Sequence, residues 1–244
     1  MKKILLAFAL STTLLTNAQH NWAKVESGGF SQQATFWMSQ VFQNKLYIAG
    51  DSMSHIFLYS SATGDSGSFV QETGLTPLLQ PFNESYLTST SANADNMFFG
   101  SQTYYDTTGG ATGTVPQVYR YDGSGYYVHG TIPYNTLPVG NELVSSYSPA
   151  ICHLELFSPT GSNDTLYAFV APNANSNAIS VWKAPANQTN PTWVNSTNFS
   201  YSSGINSIYG SKVWHNKLYI NAFNYVNGGM ILRTADGVNW DTVV

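Results

Sequence analysis

The stretch at residues 216–244 decides the fold of this chain: N-K-L-Y-I-N-A-F-N-Y-V-N-G-G-M-I-L-R-T-A-D-G-V-N-W-D-T-V-V. It predicts three short strands, at residues 217–222, 230–234 and 240–244. Gly228-Gly229 stands before the second strand and Asp236-Gly237 before the third, and such pairs are typical of tight antiparallel turns. The stretch therefore encodes one small antiparallel sheet.

Weaker copies of this unit occur three times upstream. The equivalent apolar positions are Leu46, Met97, Leu166 and Leu218, so the copies are spaced by 51, 69 and 52 residues. A period of about fifty residues with several short strands per copy is typical of a β-propeller. We predict an all-β, propeller-like fold with four recognisable blades of three to four antiparallel strands. A β-sandwich is the rival architecture, since it also has short strands and turns.

The first eighteen residues have the pattern of a secretory signal. Lys2 and Lys3 form the basic start, residues 4–15 form a largely apolar run, and Ala18 is a small residue at the cleavage position. This run is shorter than the roughly 20 residues of a membrane-spanning helix. We therefore expect cleavage after Ala18, an extracellular protein, and a single domain over residues 19–244.

The ends of the chain raise the question of whether the ring of blades is complete. Residues 22–25 resemble the outer strand at residues 240–244, although the last unit already has its own outer strand. This pattern favours the front part of a longer propeller, truncated at the C-terminus; a closed ring of four units is the alternative. An open ring exposes sheet edges that promote association. We therefore expect the chain to self-associate.

Composition excludes some classes of partner. The net charge is −4, whereas a nucleic-acid-binding protein needs a basic surface. Charged residues make up only 9% of the chain, against roughly 25% in ordinary domains. Cys152 is the only cysteine, so no internal disulfide can form, and its apolar surroundings predict a buried strand residue. After the signal, no segment is apolar and long enough to cross a membrane.

The last turn of the chain has a recognisable pattern. Residues 234–240, T-A-D-G-V-N-W, resemble the Asp-box of sialidase-like propellers, with one residue fewer than the usual spacing, and residues 120–123 are a looser match. The resemblance implies a hairpin in which Asp236 ties the turn and Trp240 packs between sheets. It implies no catalytic residue. The residues expected in structural turn or core positions are Asp122, Trp193, Asp236, Gly237 and Trp240.

No catalytic group can be identified from the sequence. Sialidase chemistry would need three arginines around the substrate carboxylate, and the chain has only Arg120 and Arg233, which excludes it. Other glycoside hydrolases need two carboxyl groups about 5 to 10 Å apart. Asp51, Asp106 and Glu142 are the acids least easily explained as turn residues. No zinc or calcium motif is present, so we expect no cofactor, with calcium at an Asn- and Asp-rich loop left open.

Binding is the hypothesis that the sequence favours. In a propeller, the loops between the second and third strands of the blades gather on one face. Tyrosine and asparagine at loop tips can stack on sugar rings and bond their hydroxyls. We therefore predict a module that recognises carbohydrate or a protein surface, or that has a structural place in a larger exported protein. A carbohydrate-active enzyme of propeller fold is the alternative. The candidate binding residues are Asp51, Tyr104, Tyr105, Asp106, Asn173, Asn175, Asn224 and Tyr225.

Overall fold

The computed structural model describes most of the chain after the first 34 residues. The described residues are 35–52, 55–75, 78, 85–103, 116–133, 150–159, 165–171, 179–199, 207–224 and 228–244. The predicted signal sequence and the predicted strand at residues 22–25 lie outside this part. Of the candidate site residues, those outside it are Tyr104, Tyr105, Asp106, Glu142, Asn173, Asn175 and Tyr225.

The described residues form sixteen β-strands that group into four sheets of four. The first sheet contains β1 (Thr35–Phe42), β2 (Lys45–Ser52), β3 (His55–Ser61) and β4 (Val70–Gln71). The second contains β5 (Ser85–Ala92), β6 (Met97–Thr103), β7 (Gln117–Tyr121) and β8 (Tyr126–Thr131). The third contains β9 (Ala150–Phe157), β10 (Thr165–Ala171), β11 (Ile179–Pro185) and β12 (Val194–Phe199). The fourth contains β13 (Ser207–Trp214), β14 (Lys217–Asn224), β15 (Gly228–Thr234) and β16 (Asp241–Thr242).

Every sheet is an antiparallel meander in which consecutive strands pair. The chain runs from the first strand of a sheet to its fourth and then enters the next sheet. The first strands are neighbours in space, because β5 contacts β1 and β9, and β9 contacts β13. One bridge, between Gln102 and Ala150, also joins the second and third sheets. Sheets that follow one another with their first strands innermost form a β-propeller, which confirms the predicted fold class.

In the fourth unit, the repeat begins one strand earlier than predicted from the sequence. The predicted unit starts near Lys217, whereas the sheet starts with β13 at Ser207. The first sheet likewise starts before Leu46, with its innermost strand β1. The last strand is shorter than predicted, since β16 comprises only Asp241 and Thr242.

The core consists of three layers, one between each pair of neighbouring sheets. Alternation along the strands fills both sides of a sheet: Phe98 packs towards the third sheet and Phe99 towards the first. In the third sheet, Leu166 faces back to the second sheet and Tyr167 faces the fourth. Each such aliphatic or aromatic side chain contributes about 1.5–3 kcal/mol when it is fully buried. The sheets are therefore held to their neighbours mainly by apolar contact.

Each innermost strand carries a β-bulge near its start. In all four strands one residue has no partner on the second strand, and the register shifts around it. A bulge bends the strand and changes the direction of the side chains beside it. The bulged residues are Trp37, Thr88, Cys152 and Tyr209.

The turn between β15 and β16 is tied by a carboxylate. Asp236 Oδ1 accepts hydrogen bonds from the backbone N–H of Val238 at 2.9 Å and of Asn239 at 2.8 Å. Thr234 Oγ1 donates to the same oxygen, at 2.9 Å. Gly237 has φ of +73°, and a Cβ there would collide with the Tyr167 hydroxyl of the third sheet. The turn is therefore fixed both by its own side chains and by the neighbouring sheet.

Within the described residues, no helix is long and apolar enough to cross a membrane.

Candidate functional site

A polar group interrupts the apolar layer between the innermost strands of the third and fourth sheets. The Ser211 hydroxyl of β13 donates a hydrogen bond to Glu155 Oε2 of β9, at 2.6 Å. The backbone N–H of Ser211 donates to His153 Nε2, at 3.1 Å. One serine therefore bonds two ionisable side chains of the neighbouring sheet, close to the propeller axis.

The strand geometry explains why these side chains meet. His153 and Glu155 are two residues apart on β9, so both face the fourth sheet. The bulge at Cys152 lies directly before His153 and sets this orientation. On β13, the bulge at Tyr209 precedes Gly210 and Ser211, and it turns Ser211 back towards the third sheet. The paired bulges thus place the polar side chains opposite one another.

The electrostatics of the group follow from its burial. Desolvation raises the pKa of the Glu155 carboxyl, while the Ser211 hydrogen bond and the charge of Lys212 act in the opposite direction. Desolvation also lowers the pKa of His153. Because the His153 Nε2 accepts a hydrogen bond from Ser211, that nitrogen carries no proton. The group therefore combines a neutral imidazole with a carboxyl that keeps its proton more readily than an exposed glutamate does.

Glu155, His153 and Ser211 were not among the residues predicted from the sequence. The signal was present in I-C-H-L-E-L at residues 151–156, where polar side chains stand at alternate positions of an otherwise apolar strand. A strand between two sheets is normally apolar on both sides. Two ionisable residues on one side of such a strand are typical of a polar site.

Two of the predicted binding residues lie in the described part of the chain. Asp51 is near the end of β2, where it pairs with Thr35, and Asn224 ends β14, where it pairs with Gly228. Both stand next to a loop between a second and a third strand, at the end of the sheets where the innermost strands begin. The bulges and His153 lie towards this same end. We call it the bulge face of the propeller.

The predicted structural residues lie in turns or between sheets. Asp122 Oδ1 accepts hydrogen bonds from the N–H groups of Ser124 and Gly125 at the turn between β7 and β8. Trp240 packs edge-on against Phe169 of the third sheet, with ring centroids 6.2 Å apart.

Trp193 occupies the layer between the second and third sheets. It contacts His129 of β8 at a centroid distance of 6.2 Å. Both tryptophans thus pack between sheets.

The two arginines lie on different sheets of the propeller. Arg120 pairs with Phe98 in the second sheet, and Arg233 pairs with Tyr219 at the equivalent register of the fourth. Arg120 lies over the Tyr127 ring at 5.4 Å, and Arg233 is 3.9 Å from Asp241. Each arginine is therefore engaged with its own sheet.

Among the residues that the structure describes, no three His, Cys, Asp or Glu side chains lie close enough together to hold a metal ion. Cys152 Sγ donates a hydrogen bond to the Phe169 carbonyl oxygen, at 3.1 Å. That thiol is thus occupied within its own sheet.

Comparison with known proteins shows the fold. No protein-family model and no curated protein matches the sequence. Among solved structures, an α-L-arabinofuranosidase from Clostridium thermocellum is similar, with 14% identity and a TM-score of 0.50 over 88% of this chain and 74% of that one. A Trypanosoma rangeli sialidase, solved as a covalent intermediate with 2,3-difluorosialic acid, is similar at 9% identity and a TM-score of 0.53. The chain covers 37% of the length of that sialidase, and the match includes 86% of the chain.

Proposed function

We propose that this protein recognises carbohydrate at the bulge face of the propeller, with Glu155, Ser211 and His153 at the base of the site. The observation that carries the proposal is the Ser211 bridge between two ionisable side chains in an otherwise apolar layer. Sugar hydroxyls donate and accept hydrogen bonds, so a site with a carboxyl, a hydroxyl and an imidazole suits them. The similar solved structures include an arabinofuranosidase and a sialidase, and a glycan ligand agrees with both names.

The loops of the bulge face supply the rest of the proposed site. Tyr104, Tyr105, Asp106 and Tyr225 are expected there from their places in the sequence, next to the strand ends that carry Asp51 and Asn224. Aromatic side chains would stack on sugar rings while the acids and amides bond hydroxyls. The predicted signal sequence agrees with a ligand met outside the cell. The proposed role is therefore glycan recognition by an exported propeller.

Replacement of Glu155 tests this proposal. In affinity electrophoresis through gels containing arabinan, and in calorimetry with sialyllactose, we expect the chain to be retarded or to bind at least one of the two. Glu155→Gln replaces one carboxyl oxygen by an NH₂ group, so it should weaken that binding roughly tenfold, since a hydrogen bond contributes about 0.5–1.5 kcal/mol. Tyr104→Ala with Tyr105→Ala should also weaken it.

Glu72→Gln is the matched control for that experiment. Glu72 Oε1 accepts a hydrogen bond from Ser60 Oγ at 2.6 Å, in the first sheet and away from β9 and β13. This variant should bind as the unmodified chain does. Equal losses of binding in Glu72→Gln and Glu155→Gln would overturn the assignment of the site. If the unmodified chain bound neither probe, carbohydrate recognition itself would be contradicted, together with the site.

Glycoside hydrolysis is the second candidate function, and the raised pKa of Glu155 favours it. A carboxyl that keeps its proton can protonate a leaving oxygen, and a hydrolase would need a second carboxyl about 5 to 10 Å away. Asp51, Asp106 and Glu142 are the candidates from the sequence. Release of reducing sugar from arabinan that Glu155→Gln abolishes would decide for the enzyme, whereas binding without release would decide for recognition alone.

A further inference from the structure

The outer side of the fourth sheet has the residues of a packing surface and no sheet against it among the described residues. In the third strand of each sheet, one position faces the next sheet. Leu58, Val118 and Val181 occupy it in the first three sheets and are 2%, 0% and 0% exposed. Ile231 occupies it in the fourth sheet, at the same register, and is 39% exposed.

The innermost strands repeat this contrast. The fifth residue after the bulge is Phe42 in the first sheet and Phe157 in the third, and these are 3% and 2% exposed. In the fourth sheet it is Trp214, which is 62% exposed. The second sheet has Asn93 at this position, so the buried aromatic side chain of the first and third sheets has its exposed counterpart only in the fourth.

The first sheet is incompletely covered on its opposite side. Leu46 and Ile48 of β2 face away from the second sheet and are partly exposed. Their equivalents in the other sheets are at most 1% exposed; these are Met97, Phe99, Leu166, Ala168, Leu218 and Ile220. Val41, next to Leu46 on β1, is 64% exposed. The two free sides therefore differ. The free side of the fourth sheet resembles the sides that pack onto a following sheet, and the free side of the first sheet resembles the sides that pack onto a preceding sheet.

We propose that a second copy of this chain binds head to tail, with the fourth sheet of one copy packed on the first sheet of the other. This contact would repeat the sheet-to-sheet packing already present three times within the chain. Pairing of two fourth sheets would not repeat that packing, because it would bring together two sides of the same kind, each with Lys212 and the Arg233–Asp241 pair. A head-to-tail contact is heterologous, so it closes into a ring or continues as an oligomer.

Sedimentation velocity tests the proposal directly. The associated fraction of the chain should rise with protein concentration over about a hundredfold range, because association follows mass action. Trp214→Asp or Ile231→Asp should abolish association by placing a charge on the free side of the fourth sheet. Val41→Asp should abolish it by placing a charge on the free side of the first sheet. Val194→Asp is the control, because Val194 is 53% exposed on the outermost strand β12 and lies on neither free side. Circular dichroism of each variant shows that it is folded.

Mixing the variants distinguishes head-to-tail contact from other arrangements. Trp214→Asp keeps an intact first sheet and Val41→Asp keeps an intact fourth sheet, so an equimolar mixture should form one good interface and stop at the dimer. Each variant alone should stay monomeric. An unmodified chain that is monomeric at every concentration would overturn the proposal. So would association that Val194→Asp reduces as much as Trp214→Asp does. Failure of Trp214→Asp and Val41→Asp to associate when mixed would also overturn it.

Discussion

Buried ionisable side chains give individual residues a measurable effect on the stability of this propeller. His129 lies in the layer between the second and third sheets, 1% exposed, with its ring edge-on to Phe98 at a centroid distance of 4.9 Å. Burial lowers its pKa to about 4, and the charge of Arg120 acts in the same direction, while the Pro185 backbone acts against both. His129 is therefore neutral in the folded chain at neutral pH.

This histidine should make the free energy of unfolding depend on pH. Its folded pKa is below the unfolded value of about 6.5, so the unfolded chain binds a proton first as the pH falls. Stability is then fully present above pH 6.5 and declines towards pH 4, by up to about 1.4 kcal/mol per pH unit for this one group. His129→Phe should flatten the slope of urea-unfolding free energy against pH by that amount. His153, whose pKa is also lowered, should leave a smaller slope of the same sign.

His215→Gln is the control for the pH experiment, since His215 is exposed beside Trp214 at the turn between β13 and β14. It should change the slope little. A slope that His129→Phe leaves unchanged would show that the folded chain binds this proton as readily as the unfolded chain does.

At the scale of single elements, the turns explain much of what the sequence predicts. The second strands begin with an apolar run, as at Leu166 and Leu218, and turns with glycine and aspartate follow the third strands of the first, second and fourth sheets, so these strands could be placed from the sequence. The innermost strands are harder to predict. Ser85–Ala92 is rich in serine and threonine, and two of those side chains bond to the next sheet: Thr88 Oγ1 donates to the Ile151 carbonyl oxygen, and Ser91 Oγ accepts a hydrogen bond from the Leu156 N–H, at 3.1 Å.

Hydrogen bonds between sheets depend on residues far apart in the chain, and that is why the site escaped prediction. Ser211 and Glu155 meet only because two bulged strands lie side by side. Neither the spacing of residues along the chain nor a local sequence motif predicts the contact between Ser211 and Glu155. The alternation at His153 and Glu155 could have marked a polar strand face, but not its partner.

The turn at Asp236 should stabilise its hairpin by a measurable amount. The backbone N–H of Asn239, then that of Val238, hold the pKa of this carboxyl well below its usual range. Asp236→Ala removes the acceptor of both N–H groups, so it should cost about 1 kcal/mol and lower the melting temperature by roughly 2–4 °C. Differential scanning calorimetry measures this.

Asp241→Ala is the matched control for the turn. Asp241 is also an exposed acid of the fourth sheet, 3.9 Å from Arg233, and such a surface pair contributes about 0–1 kcal/mol. Its loss should therefore shift the melting temperature less than the loss of Asp236. The opposite order would show that the carboxylate does not hold the turn.

For the whole molecule, stability should follow the number of sheets that each sheet contacts. Among the described residues, the third sheet packs on both sides, through the layers that contain Leu166 and Phe169, whereas the fourth packs on one. Contacts between neighbours alone give a chain whose end units open before its centre. The fourth sheet should therefore unfold locally at a lower free energy than the third.

Hydrogen exchange followed by mass spectrometry tests this order. In Trp214→Asp, which should be monomeric, amides of β10 should exchange about tenfold more slowly than those of β14, a difference of about 1.4 kcal/mol. Both strands are hydrogen-bonded on both edges within their sheets, so they are a matched pair. Equal protection would show that the propeller opens as one unit.

The bulges bear on the history of the chain. They stand at the same place in all four innermost strands, although Trp37, Thr88, Cys152 and Tyr209 have little chemistry in common. No shared side chain specifies the irregularity, so its recurrence follows the backbone and not a residue type. Duplication of a single ancestral sheet that already had the extra residue would leave this pattern, with the backbone conserved where the side chains diverged.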